Sequence, residues 1–215
     1  MKVSLIFDLD GTLVDSLPGI VASLNRTLSA HGLPGHANAA IRSFVGDGVR
    51  SLVQRAAANT ADLGLLESLV AFYKQDYDQS WADGTKAYPG IHNMLDELQK
   101  SGFQMAVLSN KTHDFTVAMT QEMFPSIHFA KVLGQRDGIQ HKPHPAGALQ
   151  LATTFGAAAE NCVIIGDSAI DLETAANAEM QAIAVAWGYQ DRAFLLASGA
   201  SRIIDDPSEL PGLLA

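Results

Sequence analysis

Short apolar runs recur along the chain at residues 3–7, 104–108, 130–133, 162–165 and 182–186, each bounded by turn formers. Runs this short, apolar on both faces, suit the buried strands of a parallel sheet, since a strand covered on one side only would alternate. Residues 202–204 add a late edge strand. Helical patterns fill the gaps. After Tyr88-Pro-Gly, apolar residues fall at Ile91, Met94, Leu95 and Leu98, and Gly102 can end that helix. Pro145 opens another, at a position where its missing N–H costs nothing. Strand and helix in alternation predict an α/β fold: a doubly wound, Rossmann-like parallel sheet with helices on both faces.

One stretch breaks the rhythm. Helical patterns at residues 17–30, 37–44, 49–57 and 62–81 have no convincing strand among them, and Gly32-Leu-Pro-Gly35 and Gly46-Asp-Gly48 punctuate them. They follow the first strand directly, so they are read as an insertion. The expected organisation is a core of residues 1–15 and 84–215 with a helical cap at 16–83.

Charge narrows the function. With 23 acidic against 14 basic residues the chain carries −9, which disfavours nucleic acid and anionic membrane as partners. An anionic substrate would then need local positive charge. The single cysteine, Cys162, lies in an apolar run and is read as inert core. The opening residues meet two aspartates before any apolar stretch is long enough for a signal peptide, and no run is long enough to span a bilayer. A cytoplasmic protein, monomer or homodimer, is expected.

In open α/β sheets ligands gather at the carboxyl ends of the strands. The first run ends in Asp8-Leu-Asp10-Gly-Thr12, the second in Ser109-Asn110-Lys111, the fourth in Gly166-Asp167-Ser-Ala-Ile-Asp171, and His141-Lys142-Pro143 comes between the last two. Any one of these aspartates alone is most simply a cap or turn residue. Four at successive strand ends would repel, and a hard divalent cation such as Mg²⁺ would relieve that.

These segments resemble, in order, the four motifs of the haloacid dehalogenase superfamily, from Asp8-Leu-Asp-Gly-Thr-Leu-Val-Asp-Ser16 to Gly166-Asp-Ser-Ala-Ile-Asp171. Within it the chain is most similar to the phosphoglycolate phosphatase group, through Ile41-Arg-Ser-Phe-Val-Gly-Asp-Gly48, Leu108-Ser-Asn-Lys111 and Ala186-Trp-Gly-Tyr189. The resemblance implies a Mg²⁺-dependent phosphatase of a small-molecule phosphate ester, with 2-phosphoglycolate as the best single guess. Asp8 would be the nucleophile that forms an aspartyl-phosphate, and Asp10 the general acid and base. Asp8, the Asp10 carbonyl and Asp167 would hold the metal, with Asp171 supporting its waters or ligating directly. Ser109, Asn110 and Lys142 would bind phosphate, and Pro143 biases Lys142 towards an extended backbone.

The cap would close over the site, with Gly46, Gly48 and Arg50 as candidate substrate contacts. Arg42, Arg50 and Arg55 are candidates for a substrate carboxylate or a second phosphate, and otherwise read as solvated or structural helix residues. His141 and His144 read as loop or helix-start residues, and Trp187-Gly-Tyr189 as structural. Competing readings are a sugar-phosphate mutase of the β-phosphoglucomutase type and a pyrophosphatase. Thr12 favours the phosphatase, since mutase relatives often carry an apolar residue there. A non-enzymatic phospho-ligand sensor is disfavoured, because no expected motif residue is missing.

Overall fold

The protein is described by a computed structural model covering residues 2–136 and 138–214. The chain folds as two compact units, a larger one of residues 1–14 and 87–215 and a smaller one of residues 15–86. It leaves the larger unit through β2 (Val14–Asp15) and re-enters through β3 (Lys86–Ala87), two short strands paired with each other.

The larger unit is built on six strands: β1 (Ser4–Phe7), β4 (Met105–Thr112), β5 (Lys131–Gln135), β6 (Cys162–Gly166), β7 (Gln181–Val185) and β8 (Ile203–Ile204). Their order is β5-β4-β1-β6-β7-β8, and every neighbouring pair is parallel. Each successive strand therefore needs a crossover, which the helices supply: α5 (Ile91–Lys100), α6 (His113–Met123), α7 (Ala146–Phe155), α8 (Ala169–Asn177) and α9 (Arg192–Ala197), while α10 (Glu209–Leu213) follows the last strand. Ile6, Ala106 and Ile164 face one way and pack with Leu151 and Phe155 of α7 and Ala175 of α8. The alternate residues Leu5, Phe7, Val107 and Ile165 are equally buried, so the sheet is covered on both faces. The stripe of Ile91, Met94, Leu95 and Leu98 is the buried face of α5.

From β1 the chain winds outward to β4 and β5, then returns to lay β6 on β1's other edge. That reversal opens a crevice at the carboxyl ends of β1 and β6. Phe7 is level with Val107 on one side and Ile165 on the other, which puts Asp8 just beyond the sheet at that point.

One strand differs from its sequence reading. β4 does not stop at Leu108 but runs to Thr112, with its register against β5 shifting between Leu108 and Thr112. Ser109, Asn110 and Lys111 are polar and yet buried. Hydropathy ends the strand where burial does not, because the partners that satisfy these residues lie elsewhere in the chain.

The smaller unit is helical, with α1 (Leu17–Ala30), α2 (Asn38–Phe44), α3 (Gly48–Ala56) and α4 (Leu63–Ser80). Ile20, Leu24 and Leu28 of α1 and Leu66, Leu69, Tyr73 and Tyr77 of α4 are its buried stripes. Tyr73 and Tyr77 stack at 5.4 Å, and each buried aliphatic side chain contributes roughly 1.5–3 kcal/mol. Asp62 caps α4 by accepting from the Leu65 amide at 3.0 Å. Arg26 forks onto Asp76 at 2.7–3.1 Å, tying α1 to α4. Among the described residues, no helix is long and apolar enough to cross a membrane.

Candidate active site

β1 stops because Leu9 turns the chain. Its carbonyl accepts from the amides of Thr12, Leu13 and Val14 at 3.3, 2.9 and 3.0 Å, while the Asp8 amide still donates to the Ile165 carbonyl at 2.9 Å. Asp8 is thus the last residue held by the sheet, and Asp10 lies on the turn. Gly11 completes the turn at φ +86°, a conformation costly for other residues, and any Cβ there would sit 2.3 Å from Asp167 Oδ2.

Three of the strand-end aspartates converge. Asp8, Asp167 and Asp171 each offer a carboxylate oxygen, and these oxygens lie within 4.8 Å of one another. Lys142 sits among them, its Nζ 2.9 Å from Asp8 Oδ1 and 2.6 Å from Asp171 Oδ1. Asp8 Oδ1 also accepts from the Leu9 amide at 2.7 Å. Asp171 Oδ2 accepts from the Ser168 amide and hydroxyl at 3.1 and 2.6 Å, which anchors it in the first turn of α8.

Lys142 is placed by Asn110. The Asn110 side-chain amide donates to the Lys142 carbonyl at 3.0 Å, and its oxygen accepts from the Lys142 amide at 2.8 Å. The strand end and the lysine loop are thereby clamped through two bonds, and the Lys142–Pro143 peptide is cis. Ser109, beside Asn110, is buried, and its hydroxyl accepts from the Lys111 amide at 3.2 Å. Asp10 does not join the three-aspartate cluster. It pairs with Lys111, whose Nζ lies 3.2 and 3.3 Å from its two oxygens.

Burial sets the electrostatics. It pushes the Asp8 carboxyl up to about 7, with Lys142 pulling it down and Asp171 adding to the rise. Burial also pushes Asp167 well above the usual carboxylate range, helped by Asp171 and Asp8. For Lys142 burial works against the charge, but Asp171 and Asp8 more than offset it, so the ammonium is held firmly protonated. Four carboxylates against two ammonium groups leave an excess of two negative charges when all are ionised. An all-oxygen donor set with that excess fits one hard divalent cation and suits Mg²⁺ better than a soft metal.

The Asp167 carboxylate is oriented by one residue of the first motif and by a segment outside the four motifs. Its Oδ2 accepts from the Tyr189 amide at 2.7 Å and its Oδ1 from the Thr12 hydroxyl at 3.2 Å. Trp187 Nε1 donates to the Thr12 carbonyl at 3.0 Å. A Cβ on Gly188 would lie 2.3 Å from both the Asp167 Cβ and the Gly11 carbonyl, so only glycine fits between them. Trp187-Gly-Tyr189 is structural as expected, but what it supports is the site. The strand-end rule applied to β7 points there. Lys111 joins the site without having been expected in it, although it is two residues beyond Ser109 on the same strand end.

The other candidates have partners of their own. His144 Nδ1 accepts from the Ala146 amide at 3.2 Å, at the start of α7. Gly46 lies in the α2–α3 turn and Gly48 opens α3, both with positive φ. Arg50 pairs with Glu67 at 2.6 Å, and Arg55 pairs with Asp47 and donates to the Phe44 carbonyl at 2.9 Å, all inside the helical unit. Cys162 is buried and unoxidised, and burial raises its thiol pKa.

The profile of haloacid dehalogenase-like hydrolases matches residues 5–185. A phosphoglycolate phosphatase of Chromobacterium violaceum is 34% identical over 212 residues, 97% of this chain and 94% of that protein. One from Pseudomonas putida is 33% identical over 213 residues, 96% of this chain and 78% of its own length. The crystal structure of a candidate phosphoglycolate phosphatase from Lactobacillus delbrueckii subsp. bulgaricus superposes with a TM-score of 0.92 at 30% identity, covering 100% of this chain and 99% of that one.

Proposed function

The chain belongs to the haloacid dehalogenase-like hydrolase family, and from that premise we propose that it is a Mg²⁺-dependent phosphatase of small-metabolite monoesters, with 2-phosphoglycolate as its substrate. The observation that carries the reading is the meeting of Asp8, Asp167, Asp171 and Lys142 at one strand-end crevice.

In this reading an Asp8 carboxylate oxygen attacks phosphorus in line. The ester P–O bond breaks as the new P–O bond to Asp8 forms, and Asp10 gives its proton to the departing alkoxide. Asp10 then takes a proton from water, whose oxygen attacks the aspartyl-phosphate, releasing phosphate and restoring Asp8. Lys142 pairs with the phosphoryl oxygens and with Asp8, and the Ser109 hydroxyl and the Asn110 backbone N–H donate to the same oxygens. Asp8, the Asp10 carbonyl and Asp167 would hold Mg²⁺. Asp171, with both oxygens already engaged by Lys142 and Ser168, acts chiefly by positioning them. The cation supplies neutralisation of the nucleophile and of the charge developing on the transferred phosphoryl group.

Phosphate release from 2-phosphoglycolate, sugar phosphates, pyrophosphate and an aryl phosphate, with Mg²⁺ and with chelator, tests the proposal. Turnover with Mg²⁺ that chelator abolishes is expected. Silence on every ester would sink it, and interconversion of glucose 1- and 6-phosphate without net phosphate release would make the protein a mutase.

A further inference from the structure

Two lysines are buried among the described residues, Lys111 and Lys142. Burying an ammonium is expensive unless it is paired. Lys142 is accounted for by Asp8, Asp171 and the phosphoryl group. Lys111 has a different position and needs its own explanation.

Its backbone is fixed from several sides. The Lys111 amide donates to the Ser109 hydroxyl at 3.2 Å, and its carbonyl accepts from the Thr116 hydroxyl at 3.1 Å. Gly134 of β5 packs so closely that an added Cβ would lie 2.7 Å from that carbonyl. The side chain, 6% exposed, ends within 3.3 Å of both Asp10 oxygens. This is a built cation on the Asp10 side of the crevice, not a surface lysine that happens to fold inward.

The inference rests on the phosphatase reading, in which Asp10 marks where the leaving oxygen sits. A general acid must lie within about 2.6–3.2 Å of the oxygen it protonates. The atoms just beyond the ester oxygen then lie beside Asp10, within reach of Lys111. A neutral leaving group would present nothing to this cation. A leaving group with a carboxylate one carbon beyond its ester carbon would bring an anion to it. An ammonium carries three donors, so it can keep Asp10 while exchanging another of its contacts for such an anion. We infer that Lys111 is a specificity-determining residue that reads a carboxylate on the leaving group, selecting phosphate esters of short 2-hydroxy acids over neutral alkyl phosphates.

The test compares kcat/KM for 2-phosphoglycolate and for ethyl phosphate, which matches it in chain length but lacks the carboxylate. The wild type should prefer 2-phosphoglycolate. Lys111→Met should slow both esters, because Asp10 loses its partner. It should also cut the preference by about 30-fold, the size of one charge-assisted hydrogen bond, mainly through KM. Lys111→Arg, which keeps the charge, should retain more of the preference than the methionine variant. Equal losses on both esters would overturn the inference and leave Lys111 as a support for Asp10. So would a wild type with no preference, a result that needs no folded variant. Wild-type activity confined to esters without a carboxylate would overturn the inference but leave the phosphatase standing. A wild type active on no phosphate ester would remove both.

Discussion

Two ion pairs in this protein have the same length and opposite surroundings. Lys142 meets Asp171 at 2.6 Å with side chains 5% and 2% exposed. Arg50 meets Glu67 at 2.6 Å with side chains 52% and 62% exposed. The first lies at the strand ends of the larger unit, the second between α3 and α4 of the helical one. Water screens the exposed pair, which gains little over two separately solvated charges. The buried pair has given up that solvation, so each partner depends on the other. Distance alone says nothing about what a charge contact is for. Here the larger unit concentrates unsolvated charge in one crevice, and the helical unit spreads its charges over a wetted face.

The most direct way to break the contrast is to remove the cation from each pair. Lys142→Met should destabilise the protein by about 3–5 kcal/mol in urea unfolding, since it leaves Asp8 and Asp171 buried against each other. A loss below about 1 kcal/mol would mean that the crevice is wetter than its burial implies. A second experiment uses pH on metal-free protein. The folded state raises Asp8 from the ordinary 3.8 to about 7, so it binds that proton more tightly than the unfolded chain does. The contribution is therefore fully present below about pH 4 and is lost as pH rises through about 7. For this one group the gap corresponds to roughly 4 kcal/mol, and Asp167 shifts in the same direction. Denaturation midpoints should fall between pH 5 and pH 8, Asp8→Asn should flatten the slope, and Mg²⁺ should restore the loss at the higher pH.

In the helical unit the sign reverses. The Arg26 guanidinium holds Asp76 below its ordinary value, so that contribution is present above about pH 4 and is lost as pH falls further. The smallest effect closes the comparison. Arg50→Met should change stability by less than about 1 kcal/mol, and a larger shift in the unfolding midpoint would show that exposure understates this pair.

What can be read from sequence follows the range of each interaction. The strand–helix alternation and the α5 stripe depend on neighbours within a turn or two, and these elements fall within a residue or two of their observed bounds, β4 excepted. Asp8 and Asp167 can be read together because they follow strands that end on the same edge of a parallel sheet, whereas Lys142, in the loop ahead of α7, is legible only through its place in the order of the motifs. The Lys111–Asp10 contact and the Trp187 bond to Thr12 cannot be read in either way. Each joins residues far apart in sequence, and each depends on which strand neighbours which. The extension of β4 to Thr112 is hidden for the same reason: polar residues look like a loop until their distant partners are known.

The central position of β1 also bears on how the chain is made. During synthesis this strand precedes both of its neighbours, and Leu5 finds them only when Met105 and Val163 have emerged. Until then both edges of a short, largely apolar strand are open, a condition that invites pairing with other nascent chains. The helical unit is a compact cluster of contacts within residues 15–86, all of which emerge in that interval. The aspartates, by contrast, stay scattered along an unfinished chain, and their repulsion begins only when β6 docks. The site proposed for a divalent cation is therefore assembled only after β6 has docked on β1.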